Sequence, residues 1–217
     1  MLTPNRKYLT VINCTIPYLI VSFFMLTAHA NEIKTPPDNA EDVDPISLES
    51  TIPEVELRTV ENEIITLKEV IEGKKTLLVF YRGGWCMYCN MQLGNLATIS
   101  EELKSQHIQI VAISPDKPSN LKSTIEEAEL DYMLLSDSKA NAAKAFGIAF
   151  RVDAQTRELY TEYGIDLEEA SGESHHLLPV PAVFLVDTDE TIRFVHVDPD
   201  YRERLSNEKL LEAVSGL

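Results

Sequence analysis

Residues 76–81, TLLVFY, are an unbroken apolar run. A strand with one wet face alternates apolar and polar side chains, whereas a strand covered on both faces does not. After the run come Arg82-Gly83-Gly84-Trp85 and then Met91, Leu93, Leu96, Ile99 and Leu103 near helical spacing, predicting a helix over 87–106. A doubly covered strand that feeds a helix through a glycine turn commits the chain to a sheet with helices packed against it.

The neighbouring segments extend this pattern. Val55, Leu57 and Thr59 alternate, Glu61-Asn62-Glu63 turns the chain, and Ile64-Ile65-Thr66-Leu67 completes an N-terminal β-hairpin. Residues 108–113 (IQIVAI) read as a second buried strand, 119–130 as a second helix and 132–135 as a short strand. A third helix over 138–146 ends at Gly147. Strands at 182–186 and 192–197 flank a turn at 187–190, and Ser206 opens a last helix reaching Val214. The expected class is α/β: one domain over 54–217, with a central mixed β-sheet flanked by helices on both faces.

The ends read differently. Arg6 and Lys7 precede an uncharged stretch whose most apolar part is 16–26 (IPYLIVSFFML), and Ala28-His29-Ala30 follows. A basic start, a short apolar segment and an A-x-A end describe a cleavable signal peptide over 1–30. The alternative is an uncleaved anchor over 8–26, weakened by Asn13 and Pro17. The expected location is therefore periplasmic or secreted, with membrane contact only through an uncleaved signal. Residues 31–53 contain Pro36, Pro37, Pro45 and Pro53 among many acids, and are expected to be a solvated linker. The 35 acids against 19 lysines and arginines, a net charge of -16, argue against a nucleic-acid partner. Cys14 would leave with the signal, so Cys86 and Cys89 are the cysteines to explain.

Both stand where the buried strand hands over to the helix, in Trp85-Cys86-Met87-Tyr88-Cys89. The first amides of a helix lack intrahelical partners and carry partial positive charge, which favours a thiolate. Cys89, three residues on, lies on the same helical face, close enough to close a disulfide. Cys86 is thus the candidate attacking sulfur and Cys89 the resolving one. Gly83 and Gly84 let the backbone leave the strand sharply, Trp85 can shield the sulfur, and Arg82 can add positive charge. Two other readings exist: half of a zinc site, for which only His175 and His176 could complete the set, and a structural disulfide. Neither a metal nor a cofactor is expected.

Several segments in order, FYRGGWCMYCNMQLGNL (80–96), VAISP (111–115), LLSD (134–137), AFGI (145–148), LPVPAVFLVD (178–187) and VDPDY (197–201), resemble the peroxiredoxin-like branch of the alkyl hydroperoxide reductase/thiol-specific antioxidant (AhpC/TSA) proteins. That resemblance implies a thioredoxin-like fold. It also implies that Pro181 is a cis-proline facing the cysteine pair and exposes the Val180 backbone to substrate. The implied activity is thiol-dependent peroxide reduction recycled by an external thioredoxin-like thiol donor. Departures are clear. The family's proline and Thr/Ser before the attacking cysteine are Val79 and Gly83 here, and its arginine near LPVPAVF is absent. Arg82, Arg151 or loop amides are the candidate substitutes. A thioredoxin's buried aspartate is Phe80 here, and the proline between the cysteines is Met87. These departures leave protein thiol-disulfide exchange open, as well as a non-catalytic binding module with a structural disulfide. His175, His176 and His196 are expected to be structural or solvated, residues 166–173 a solvated insertion, and 198–202 a turn with local ion pairs.

Overall fold

The computed structural model describes residues 35–216; the expected signal over 1–30 lies outside them. The chain runs β1 (Glu56–Arg58), β2 (Ile64–Thr66), α1 (Leu67–Ile71), β3 (Lys75–Phe80), α2 (Met87–Ala97), α3 (Ser100–Ser105), β4 (Ile108–Ser114) and α4 (Pro118–Ala128). It continues through β5 (Met133–Ser136), α5 (Asn141–Ala145), β6 (Ala149–Arg151), α6 (Ala154–Glu162), α7 (Leu167–Ser171), β7 (Leu177–Pro179), β8 (Ala182–Val186), β9 (Ile192–Val197) and α8 (Asn207–Ser215). Seven strands form one mixed sheet in the order β2-β1-β5-β4-β3-β8-β9, and β6 pairs with β7 separately. No helix of the described residues is long and apolar enough to cross a membrane.

β3 sits between a parallel β4 and an antiparallel β8, as its apolar run requires. Its side chains divide by the two-residue period of a strand. Leu78 and Phe80 join one core with Phe146 and Phe184, under α1 and α5. Leu77 and Val79, with Tyr81 just beyond the strand, join the other with Cys86, Cys89, Leu93 and Leu96 of the α2 segment. The sheet therefore carries the cysteine-bearing helix on its 77/79/81 face.

Four expectations change. The helix over 87–106 is two helices, because side chains capture the carbonyls that would continue it. Tyr132 Oη donates to the Leu93 carbonyl at 2.8 Å, and Asn207 Nδ2 donates to the Asn95 carbonyl at 2.8 Å. The second hairpin strand stops at Thr66, whose hydroxyl and Glu69 form a capping box that starts α1. The acidic insertion is α7: Asp166 Oδ1 accepts from the Glu168 and Glu169 amides, while Leu167 and Ser171 are buried.

The fourth correction concerns the solvated linker. Its described part, 35–53, runs along the domain. Glu49 N–H donates to the Ile192 carbonyl and Ile192 N–H donates to the Ser50 carbonyl, both at 2.9 Å, so the segment covers the edge of β9. Ile46 N–H bonds the Phe146 carbonyl at 2.9 Å, Arg151 N–H bonds the Pro37 carbonyl at 2.8 Å, and Ile52 is buried. Composition misleads here because the backbone supplies the partners and two isoleucines suffice to anchor it.

Candidate active site

Cys86 is the N-cap of α2, in extended conformation (φ -92°, ψ 110°), with its carbonyl accepting from the Cys89 and Asn90 amides. The loop ahead of it needs glycine. Gly83 has φ +147°, and a Cβ there would collide with the Trp85 indole and lie 2.9 Å from Asp116 Oδ1. The Gly84 amide donates to Asp116 Oδ2 at 2.7 Å, tying the loop to the end of β4. Asp116 is buried, and burial raises its carboxyl to about 6.

Both cysteines are reduced and buried, and the two thiols are electrostatically unequal. Cys86 is lowered to about 6. The largest cause is the hydrogen bond donated by the Cys89 thiol; burial opposes it, and Arg82, the Cys89 amide and Arg204 assist. The Cys86 side chain makes no capping hydrogen bond to the helix, so the helix terminus contributes less than the neighbouring thiol. Cys89 is raised, first because its proton serves Cys86, then by burial and by the charge of Cys86. The arrangement favours a thiolate at residue 86 with a protonated thiol at residue 89 beside it.

Arg82 occupies the position the sequence argument wanted. Its Nη1 is 3.9 Å from Cys86 Sγ, and the side chain is buried. It is caged by aromatic faces, with the guanidinium carbon 5.0 Å from the Trp85 ring centroid, 5.6 Å from Tyr160 and 4.0 Å from Tyr201. Tyr160 Oη accepts a hydrogen bond from Arg82 Nη2, and Tyr201 packs edge-on against Tyr88 at 5.8 Å. Beside Arg82 lies a cavity of about 240 Å³ whose lining includes Phe150, Tyr160, Val180, Pro181 and Tyr201.

Two implied roles need correction. No cis peptide bond occurs among the described residues, so the Val180–Pro181 bond is trans. The Val180 amide is not free for a substrate chain either, because it donates to the Ile148 carbonyl at 2.8 Å. β6, formed by 149–151 and paired with β7, draws that backbone into local pairing. Both residues still line the cavity. Arg151 is turned to the His175 carbonyl (3.1 Å) and Asp38 (3.9 Å), on the cavity rim away from the sulfurs. His175 and His176 do not join the cysteines. His175 Nε2 faces the Ser138 carbonyl at 2.7 Å, and His176 lies between Arg157 and Glu168. No cluster of metal-ligating side chains occurs among the described residues.

Sequence reasoning missed four contributors. Tyr160 belongs to α6, an element the pattern did not show. Tyr201 lies in 198–202, read as a turn with ion pairs, and Arg204 follows two residues later in the same connection from β9 to α8. The ion pair is there, Asp200 with Arg202 at 2.7 Å, but the same loop places Arg204 Nη2 3.6 Å from Cys89 Sγ. Asp116 sits one residue beyond the quoted VAISP segment, and only its burial marks it.

The profile of the AhpC/TSA family matches residues 48–195. Over 106 residues the chain is 31% identical to a Haemophilus influenzae protein named as a peroxiredoxin, Bcp, covering 49% of this chain and 68% of that protein. Peroxiredoxin Bcp of Escherichia coli is 27% identical over 106 residues, 49% of this chain and 67% of its own. Among solved structures, peroxidoxin BcpB from Mycobacterium tuberculosis shares the fold with a TM-score of 0.60, at 19% identity, over 79% of this chain and 98% of that one. The match begins inside the segment that packs along β9 and takes in both cysteines, Arg82, Trp85 and Tyr160, and on that basis the chain belongs to the AhpC/TSA family.

Proposed function

We propose that this AhpC/TSA protein, a thiol-dependent oxidoreductase, reduces peroxides at Cys86. The carrying observation is a Cys86 thiol lowered to about 6, with a buried guanidinium 3.9 Å from its sulfur. At neutral pH the sulfur is largely thiolate, the nucleophilic form. It attacks the nearer oxygen of the peroxide, the O–O bond breaks, and the departing alkoxide or hydroxide takes a proton. Arg82 supplies the positive charge that favours that developing anion, in place of the family's absent arginine. Cys86 is then a sulfenic acid. The Cys89 thiol attacks its sulfur; the hydroxyl leaves with the Cys89 proton as water, and a Cys86–Cys89 disulfide remains. An external dithiol donor of thioredoxin-like type returns two electrons and closes the cycle.

Disulfide exchange is the second reading, supported by the same pair and by exposed Met87 on the helix turn between the cysteines. Single variants separate the two. Cys86→Ser is expected to remove peroxide consumption entirely; activity retained in that variant would disprove the nucleophile. Cys89→Ser is expected to accumulate a sulfenic acid, detected with dimedone, whereas an exchanger would accumulate protein mixed disulfides instead. The basic, apolar and A-x-A features of residues 1–30 support export of the protein. Cell fractionation of the full chain against a chain lacking 1–30 tests this, an unchanged distribution counting against it.

A further inference from the structure

Arg204 is an unusual arginine for so acidic a chain. Among the described residues, its hydrogen bonds go to the Glu203 carbonyl (Nη1, 2.7 Å) and to Cys89 Sγ (Nη2, 3.6 Å), and its Nε is buried without a partner. No carboxylate among the described residues forms an ion pair with it, while Arg202, two residues earlier, is fully engaged by Asp200. The side chain is half-buried, and a cation held so close to a sulfur favours an anion that forms there. That sulfur, of Cys89, has no exposure of its own.

We propose that Arg204 is a catalytic residue of the reductive half of the cycle. It makes Cys89 the leaving group, so that the incoming thiol attacks Cys86. This inference rests on the redox cycle proposed above. The donor thiolate bonds to Cys86 Sγ, the Cys86–Cys89 bond breaks, and the electron pair leaves on Cys89 Sγ against the guanidinium. A second donor thiol then releases Cys86 as thiolate, the donor leaving as its own disulfide.

The electrostatics of the pair fit that direction. In the reduced protein, two of the influences that raise Cys89 come from the Cys86 thiolate. Once Cys86 is bonded to the donor, both disappear. Burial then remains opposed by the Arg82 amide and Arg204, and Tyr81 is the other titratable group facing Cys89 from beneath. Access agrees as well: Cys86 retains 5% exposure and Cys89 none.

The test uses the Cys86–Cys89 disulfide prepared with diamide, which does not depend on the peroxide step. N-acetylcysteine is added, the reaction is quenched in acid, free thiols are alkylated, and tandem mass spectrometry locates the adduct. The expected adduct is on Cys86 with Cys89 alkylated; an adduct on Cys89 would overturn the proposal. In parallel, Trp85 fluorescence follows reduction by dithiothreitol at alkaline pH, where the attacking dithiothreitol thiol is ionised. Arg204→Gln is expected to slow reduction about tenfold, the scale of losing one charge-assisted hydrogen bond, and by more than it slows oxidation of Cys86 by hydrogen peroxide. Arg204→Lys is expected to recover part of the rate. Equal slowing of both halves, or no slowing of reduction, would overturn it. If the variants do not fold, the wild-type adduct position decides. A wild-type protein that ignores hydrogen peroxide yet gives the Cys86 adduct would sink the peroxide reading and leave this inference standing.

Discussion

Each sulfur of this site has a guanidinium beside it, Arg82 at Cys86 from the loop just ahead of it and Arg204 at Cys89 from the distant connection between β9 and α8. The thiols nevertheless differ, because one hydrogen bond runs from Cys89 to Cys86 and lowers one thiol by the interaction that raises the other. Ranking the causes gives a prediction. Cys89→Ala removes the largest one and is expected to raise the Cys86 pKa more than Arg82→Gln, which removes a smaller Coulombic contribution. Cys89→Ser, keeping a donor, is expected to fall between wild type and Cys89→Ala. Thiolate absorbance against pH in the three variants checks the order; a larger rise in Arg82→Gln would show that the cation, not the neighbouring thiol, activates Cys86.

At the scale of elements, the short helices depend on side chains more than on propensity, since few turns supply few intrahelical bonds. α5 has five residues, and Asp137 is buried at its start, accepting from the Ala142 amide at 3.0 Å and the Ala143 amide at 2.8 Å. Asp137→Ala strands these donors and is expected to cost about 2 kcal/mol. Urea denaturation measures this, and a loss below a few tenths of a kcal/mol would contradict the capping role. Such contacts explain what the sequence could and could not show. β3, β4 and β8 were legible because buried strands leave continuous apolar runs, and α8 because Ser206 caps an apolar pattern. β6 and β7 have three residues each, too few for a period to register. The break between α2 and α3 has a local part, the Thr98 hydroxyl on the Asn95 carbonyl at 2.6 Å, and a tertiary part, Tyr132 and Asn207 on the Leu93 and Asn95 carbonyls, that only folding supplies. Likewise Cys86, Cys89 and Arg82 are local in sequence and were read directly, whereas Tyr160, Tyr201 and Arg204 reach the site through tertiary packing.

Over the whole molecule, the stretch before the hairpin is part of the domain. It closes the β9 edge and carries its backbone past α5, where Gly147 (φ +68°) meets the Asp44 carbonyl so closely that a Cβ would collide with it. Gly147→Ala therefore combines left-handed strain of about 1–2 kcal/mol with displacement of that stretch. The variant is expected to become sensitive to limited proteolysis between 35 and 53, while the wild type resists; equal resistance would contradict the docking. Asp38, Asn39, Ala40 and Glu41 of the same stretch also wall the cavity beside Arg82, so its docking and the shape of the site are linked.

The activated sulfur is central to all three scales, and Trp85 reports on it. It is the protein's only tryptophan, adjacent to Cys86 and stacked near Arg82. Stopped-flow fluorescence of the reduced protein with hydrogen peroxide, repeated across pH, measures the reaction as the thiol ionises. Because the thiol is depressed, the rate is predicted to rise with pH through about 6 and to level off by neutrality. A rate that stays negligible at neutral pH and climbs only above the ordinary thiol range, about 8.5, would contradict the account.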